Sequence, residues 1–265
     1  MPGDDQGQAG AADAFRSETL SIEGMDMYYE IRGQGEPLLL LHGFTGSGAD
    51  WKHVFPVWPE GWRLVIPDLR GHGRSINPSR QFTFRQSGLD VLALLDCLGL
   101  ERVKAIGMSA GGKTLLHVAT RQSERVEAMV LVSAAPYYPR EARALMAQIA
   151  TEGRTEEEWR VMRERHKHGD EQIRDLWSQG RGLKDSYDDM NFTPPFLSTI
   201  RARTLIVHGD RDPIYPVPIA VEMHAAIPGS YLWIVPNGGH GPIFGKQRAP
   251  FEETALSFLR GEWSS

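Results

Sequence analysis

Short apolar runs without polar alternation recur along the chain, each bounded by glycine, proline or aspartate. They lie at residues 37–43, 62–68, 103–108, 126–133, 203–210 and 231–237. Such runs are typical of strands that are covered on both faces, as in a mostly parallel sheet. Two earlier segments, residues 15–22 and 25–32, meet at Glu23 and Gly24. Their spacing predicts a β-hairpin ahead of the sheet.

Helix-like segments separate the apolar runs, at residues 87–98, 110–121, 217–227 and 250–260. Regular alternation of strands and helices predicts an α/β protein with a doubly wound, mostly parallel sheet. The interval 136–200 breaks this alternation, because it holds charged amphipathic segments and no strand-like run. We therefore predict an α/β core over residues 15–135 and 201–265, with residues 136–200 inserted as a helical cap.

Composition restricts the class of protein. The 265 residues suffice for a full α/β core, and 29 basic against 34 acidic residues give a net charge of -5. This balance argues against nucleic acid or an anionic membrane surface as a partner. Residues 1–14 are polar and lack the apolar run of a signal peptide, which predicts a disordered tail. The single cysteine, Cys97, is expected in the core and favours a reducing, cytoplasmic location.

The segment GMSAGGKT, residues 107–114, satisfies two different motifs. Its first five residues match G-x-S-x-G, in which a serine is held at a turn between a strand and a helix. All eight match G-x-x-x-x-G-K-[ST], a loop that binds nucleotide phosphates. The first motif would make Ser109 a nucleophile, and the second would make Lys113 a phosphate ligand.

The surrounding sequence favours the serine interpretation. A phosphate-binding loop needs a carboxylate after a later strand to hold Mg²⁺, but the next strand ends in VLVSAAP. A serine nucleophile needs an imidazole base, and the base needs a carboxylate. Asp212 and His240 follow later strands in the required order. Under this interpretation Lys113 is expected on the surface of the helix.

An oxyanion would need two backbone donors beside the serine. We predict the N–H groups of Ala110, directly after Ser109, and of Phe44, in the loop after an early strand. A tight turn from strand to helix leaves no room for side chains at Gly107 and Gly111.

Five motifs together resemble the α/β-hydrolase fold family: HGF (42–44), PDLRGHGRS (67–75), GMSAG (107–111), HGDRDPIYP (208–216) and GGH (238–240). The resemblance spans residues 15–263 and implies that Ser109 is the nucleophile, Asp212 the acid and His240 the base. Family spacing favours Asp212 over Asp210. A serine at position 109 points away from the dehalogenase and epoxide-hydrolase branches, which use a carboxylate nucleophile. Met108 departs from the residues common in the family and is expected on the pocket wall.

The sequence therefore predicts a serine hydrolase that cleaves small-molecule carboxylic esters through an acyl-enzyme and needs no cofactor and no metal. Tyr137 and Trp177 in the predicted cap are further candidates for the substrate pocket. His166 and His168 diverge on a helix and do not suggest a metal site. The same triad also serves lactones, thioesters and carbon–carbon bonds, and some proteins of this fold are small-molecule receptors. A nucleotide-binding protein is the remaining alternative.

Overall fold

The computed structural model describes residues 15–150 and 152–263, and within them eight strands form one sheet. The strands are β1 (Arg16–Ile22), β2 (Met25–Arg32), β3 (Glu36–Leu41), β4 (Trp62–Pro67), β5 (Val103–Met108), β6 (Val126–Val132), β7 (Arg203–Gly209) and β8 (Tyr231–Val235). Their order across the sheet is β1-β2-β4-β3-β5-β6-β7-β8. The predicted amino-terminal tail, residues 1–14, lies outside the described residues.

The sheet is antiparallel only at one edge. β1 and β2 form the predicted hairpin, with Ile22 opposite Met25 and a turn at Glu23 and Gly24, whose φ angles are 47° and 70°. β2 pairs antiparallel with β4, and all pairs from β4 to β8 are parallel. The carboxyl ends of the parallel strands therefore meet at one edge of the sheet, which is where ligands bind in open α/β sheets.

Eight α-helices accompany the strands in the described residues. They are α1 (Phe84–Cys97), α2 (Ala110–Arg121), α3 (Arg140–Ala147), α4 (Glu156–Arg165), α5 (Gly169–Gly182), α6 (Pro194–Leu197), α7 (Val217–Ala226) and α8 (Arg248–Arg260). α2 has the predicted bounds. α1 begins earlier than predicted because the side chain of Thr83 accepts a hydrogen bond from the Gln86 N–H and caps the helix there.

Both faces of the sheet are covered, as the apolar runs predicted. Leu39 and Leu41 of β3 pack into a core that includes residues of α1, α2 and α7. Leu38 and Leu40 point to the opposite face and pack into a core that includes residues of α8. Alternate residues of one strand thus enter two cores, which confirms the doubly wound architecture.

Cys97 corrects one expectation. It is the last residue of α1 and is exposed, because the side of α1 that packs into the core carries Val91, Leu94 and Leu95. In residues 15–150 and 152–263, no helix combines the length and apolarity needed to span a membrane.

Residues 136–200, which we call the inserted segment, lie between β6 and β7 and contain α3 to α6. His166, which follows α4, ties this segment to two loops of the sheet. Its Nδ1 accepts a hydrogen bond from the Gly73 N–H (2.9 Å), and its Nε2 donates to the Thr45 carbonyl (3.1 Å). Because Thr45 follows β3 and Gly73 follows β4, His166 holds the segment at the carboxyl edge of the sheet.

Candidate active site

Ser109 lies at a sharp turn between β5 and α2. Its φ and ψ are 48° and -101°, and its N–H donates to the Val132 carbonyl (2.7 Å). A Cβ on Gly111 would lie 2.1 Å from the Leu41 carbonyl oxygen, and one on Gly107 would lie 2.6 Å from the Gly111 carbonyl oxygen. The prediction that neither glycine has room for a side chain is therefore confirmed, and the close packing holds the serine in its strained conformation.

The structure brings the side chains of Ser109, Asp212 and His240 into one hydrogen-bonded row. His240 Nε2 lies 2.9 Å from Ser109 Oγ, and His240 Nδ1 lies 2.8 Å from Asp212 Oδ2. A carboxylate can only accept, so Nδ1–H donates to Asp212 and the lone pair of Nε2 faces the serine hydroxyl. Each of the three residues follows the carboxyl end of a different strand, namely β5, β7 or β8.

The carboxylate of Asp212 is fully buried, and both of its oxygens accept hydrogen bonds. Its Oδ1 accepts hydrogen bonds from the Ile214 N–H (2.8 Å) and the Tyr215 N–H (3.1 Å). Burial opposes ionisation, but the hydrogen bond and charge of His240 and these two backbone donors together lower the pKa of Asp212 below its usual range. Asp210, the alternative weighed in the sequence, is exposed and its carboxylate lies 3.9 Å from Arg211.

The predicted oxyanion donors are two backbone N–H groups, those of Ala110 and Phe44. Ala110 is the first residue of α2, so its N–H has no acceptor within the helix. The Phe44 N–H shares a planar peptide with the Gly43 carbonyl, and the two point in opposite directions. His42 fixes this peptide, since its Nδ1 donates to the Gly43 carbonyl (2.7 Å) and its Nε2 accepts from the Leu69 N–H (2.9 Å). Burial lowers the pKa of His42, which favours this neutral form.

A cavity of about 630 Å³ borders this site. Its apolar wall includes Phe44, Met108, Ile243 and Phe244. Its polar wall includes two arginines, Arg165 and Arg248, and two further titratable residues, Asp50 and His53. Ser109 itself is not part of the wall, but a Cβ on Gly43, which lines the cavity, would lie 3.9 Å from Ser109 Cβ.

Tyr137 and Trp177, the other two pocket candidates from the sequence, do not line this cavity. The Tyr137 hydroxyl donates to Glu222 Oε2 (2.6 Å) on α7. Trp177 is buried against Trp159, with ring centroids 4.6 Å apart. The physical reason is that helices α4 and α5 need an apolar core of their own, and Trp177 fills it.

Lys113 also corrects an expectation, because it is not on the helix surface. Only 4% of the residue is exposed, and every residue from Ala110 to Leu116 is buried. α2 is thus covered on all sides near its start, and its polar positions do not mark a solvated face. Since the ammonium lies inside the core, the phosphate-binding interpretation of the motif has no support in this fold. The sequence does carry a signal for this burial. Lys113 lies four residues after Ser109 and therefore on the same face of the helix.

His166 and His168 have different hydrogen-bond partners. His166 bonds to the two loops described above, and His168 Nε2 lies 2.8 Å from the Arg74 carbonyl. Over residues 15–150 and 152–263, no group of three or more histidine, cysteine or acidic residues is placed to hold a metal ion.

Several known proteins and protein families are similar to this chain. A family model described as "alpha/beta hydrolase fold" matches residues 36–167, and one described as "TAP-like protein" matches residues 190–262. The chain is 30% identical to the serine hydrolase BPHL of Homo sapiens over 251 residues, covering 90% of this chain and 86% of that protein. It is 24% identical to 2-hydroxy-6-oxo-6-(2'-aminophenyl)hexa-2,4-dienoic acid hydrolase of Metapseudomonas resinovorans, covering 93% and 91% of the two chains.

Solved structures share the fold. A meta-cleavage product hydrolase of Pseudomonas fluorescens superposes with a TM-score of 0.76 at 23% identity, covering 93% of this chain and 98% of that chain. A carboxylesterase of Bacillus subtilis superposes with a TM-score of 0.75, also at 23% identity, covering 94% and 92%.

Proposed function

Because the chain belongs to the α/β-hydrolase fold family, we propose that it is a serine hydrolase that cleaves carboxylic esters of small molecules. The observation that carries the proposal is the hydrogen-bonded row from Ser109 Oγ through His240 to Asp212. A hydroxyl is a weak nucleophile at neutral pH, and an oriented imidazole is the group that activates it.

The proposed reaction proceeds in two halves. His240 Nε2 takes the proton of Ser109 as Oγ attacks the acyl carbon, and Asp212 stabilises the imidazolium that forms. The N–H groups of Phe44 and Ala110 donate to the oxyanion. His240 then gives its proton to the departing alcohol, leaving an acyl-enzyme on Ser109. A water molecule, deprotonated by His240, attacks the acyl carbon, and the imidazolium then returns the proton to Ser109 Oγ as the acid leaves.

Hydrolysis of a carbon–carbon bond in a carboxylate-bearing substrate is a second candidate. One relative is by its name a hydrolase of a hexadienoic acid. The cavity wall carries two guanidinium groups, of Arg165, which pairs with Asp50 (3.1 Å), and of Arg248, which pairs with Glu252 (2.9 Å). A guanidinium is well suited to bind a carboxylate. A substrate panel should therefore contain simple esters, lactones, thioesters and 2-hydroxy-6-oxo-dienoic acids.

The test is loss of the serine. Ser109→Ala should lower kcat for the best ester by on the order of 10⁴- to 10⁶-fold, because no other group can carry the acyl chain. A fluorophosphonate should add one adduct mass to the parent protein and none to this variant. Ser133→Ala is a matched control, since Ser133 is another buried serine with positive φ and follows β6. Adduct on a different residue, or full activity in Ser109→Ala, would contradict the proposal.

A further inference from the structure

The turn that carries Phe44 has a strained backbone. Residues 43–46, which we call the Phe44 turn, follow β3 and are closed by a hydrogen bond from the Gly46 N–H to the Gly43 carbonyl (3.0 Å). The third residue, Thr45, has a φ of 60°, which is unfavourable for a β-branched side chain. Such a conformation persists only where surrounding contacts hold it. The contacts that hold this turn therefore decide where the Phe44 N–H points.

The inserted segment supplies one of these contacts, to the backbone of the turn. His166, which is 2% exposed, donates from Nε2 to the Thr45 carbonyl (3.1 Å) and accepts at Nδ1 from the Gly73 N–H (2.9 Å). Both ring nitrogens are bonded, so the imidazole cannot rotate without losing a hydrogen bond. Only the backbone dihedral angles of Phe44 and Thr45 separate the carbonyl that His166 holds from the predicted oxyanion donor.

The inserted segment also holds the ring of Phe44. This ring packs against the apolar core that α4 and α5 form within the segment. A Cβ on Gly180 of α5 would lie 3.1 Å from Phe44 Cε1, so the ring lies directly against the helix. The ring also makes an edge-to-face contact with His72 (centroids 4.9 Å apart), and His72 makes one with His166 (6.0 Å). The segment thus contacts Phe44 through its side chain and through the backbone that follows it.

We propose that the inserted segment, through His166 and α5, positions the Phe44 N–H as an oxyanion donor, so that this segment contributes to bond cleavage. The proposal rests on the function proposed above. A donor stabilises the transition state only where it points at the oxygen on which charge develops, so a small displacement weakens the transition state more than the bound substrate. His166 and Gly180 act through Phe44 and are therefore positioning residues.

His166→Phe keeps an aromatic ring and removes both hydrogen bonds. It should lower kcat for the best ester by about 10- to 100-fold, less than outright loss of a donor, and leave KM within about threefold. Gln172→Leu is the matched control, because it removes hydrogen bonds from α5 to the carbonyls of Gly71 and Gly73 (3.0 and 3.2 Å) after β4. The control should keep both kcat and KM within about threefold of the parent.

Gly180→Ala tests the same positioning without removing a hydrogen bond. Alanine is the better helix former, but its Cβ would displace the Phe44 ring by a few tenths of an ångström. We expect kcat to fall by about three- to tenfold. Gly182→Ala is its control, since Gly182 also belongs to α5 and a Cβ there meets no atom of the described residues within 4 Å. This control should have the kcat of the parent.

NMR separates the two donors. A trifluoromethyl ketone adds to Ser109 Oγ, whose proton passes to His240, and its carbonyl oxygen becomes an oxyanion. In ¹⁵N-labelled parent protein the amide protons of Phe44 and Ala110 should both move downfield on adduct formation, as hydrogen bonds to an anion form. In His166→Phe and Gly180→Ala the change at Phe44 should be smaller. The change at Ala110 should be kept, because α2 holds that N–H.

Several outcomes would overturn the proposal. A normal kcat in His166→Phe would do so, as would equal losses of the downfield changes at Phe44 and Ala110. A fall of kcat in Gln172→Leu as large as in His166→Phe would mean that any attachment of the segment suffices. If His166→Phe does not fold, Gly180→Ala and its control decide.

Failure of the proposed function gives a different result, because the parent then neither hydrolyses esters nor forms the adduct. The contact with the turn is still measured in free protein by ¹⁵N relaxation of residues 43–46. These residues should be more mobile in His166→Phe than in the parent, and unchanged in Gln172→Leu. A turn as rigid in His166→Phe as in the parent would contradict the inference.

Discussion

Ser109 has an unusual backbone conformation for a residue with a side chain. A non-glycine residue at φ 48° and ψ -101° costs on the order of 1–3 kcal/mol and persists only where its surroundings hold it. Here the holding contacts are the tight packing at Gly107 and Gly111 and the hydrogen bond to Val132. The strain presents Oγ at the point where a strand ends and a helix begins. A serine that only capped the helix would need no such conformation.

Asp212 and Asp210 lie two positions apart in the sequence. Substituting each in turn tests which of them is the acid of the triad. Asp212→Asn should lower kcat by on the order of 10⁴-fold, because an amide in its place favours the wrong tautomer of His240. The loss should show in steady-state hydrolysis of the best ester at pH 7.5, with circular dichroism to verify folding.

Asp210→Asn is the matched control for this change. Asp210 is exposed and its carboxylate lies 3.9 Å from Arg211, so activity should stay within a few-fold of the parent. A large loss in Asp210→Asn together with near-normal activity in Asp212→Asn would reverse the assignment of the acid.

At the scale of elements, the end of α4 is joined to the sheet by His166 in its neutral form. Burial is the main cause that lowers the pKa of His166 to about 4, from an ordinary 6.5. Between these two values the unfolded chain binds a proton that the folded chain does not. The stability that this histidine contributes is therefore complete above pH 6.5 and is lost as the pH falls from 6.5 toward 4.

His166→Gln should consequently flatten the acid dependence of stability. The variant should have a lower Tm than the parent at pH 7.5, because two hydrogen bonds to the loops after β3 and β4 are disturbed. The difference should shrink by pH 5, where the parent carries the protonation penalty and the variant does not. Differential scanning calorimetry across this range measures both. His168→Gln is the control, since His168 is exposed; parallel Tm curves for parent and His166→Gln would contradict the expectation.

At the scale of the whole molecule, the cavity is built by distant parts of the chain. Phe44 and Met108 come from the loop after β3 and the end of β5, Arg165 comes from the inserted segment, and Phe244 and Arg248 come from the region after β8. An apolar wall binds a ligand by contact area, and one methylene in such a pocket discriminates by about 1–3 kcal/mol.

Met108→Ala should therefore shift substrate preference toward longer chains. Enlarging the cavity at Met108 should raise kcat/KM for long esters relative to acetate by on the order of tenfold, while acetate hydrolysis is largely kept. An ester series from acetate upward measures the change. Met146→Ala is the control, because Met146 is a buried methionine of α3 that does not line the cavity. An unchanged profile in Met108→Ala would show that substrate does not bind in this cavity.

The sequence by itself determined the fold class and which residues could form the triad. Apolar runs without alternation specify strands buried on both faces, and glycines at positions 107 and 111 specify a tight turn around Ser109. Asp212 and His240 could be chosen because residues after successive parallel strands meet at one edge of a sheet. Each of these signals depends on residues that are close together in the chain, so it can be recognised in a single sequence.

Only the tertiary structure decided what each side chain touches. Lys113 has a polar side chain and a helical position, yet three elements distant in sequence enclose it. Trp177 fills the core of the inserted segment and not the cavity wall, and His166 bonds to loops about a hundred residues earlier. Burial depends on contacts between residues far apart in the chain, and no periodicity within one segment specifies which segments will meet.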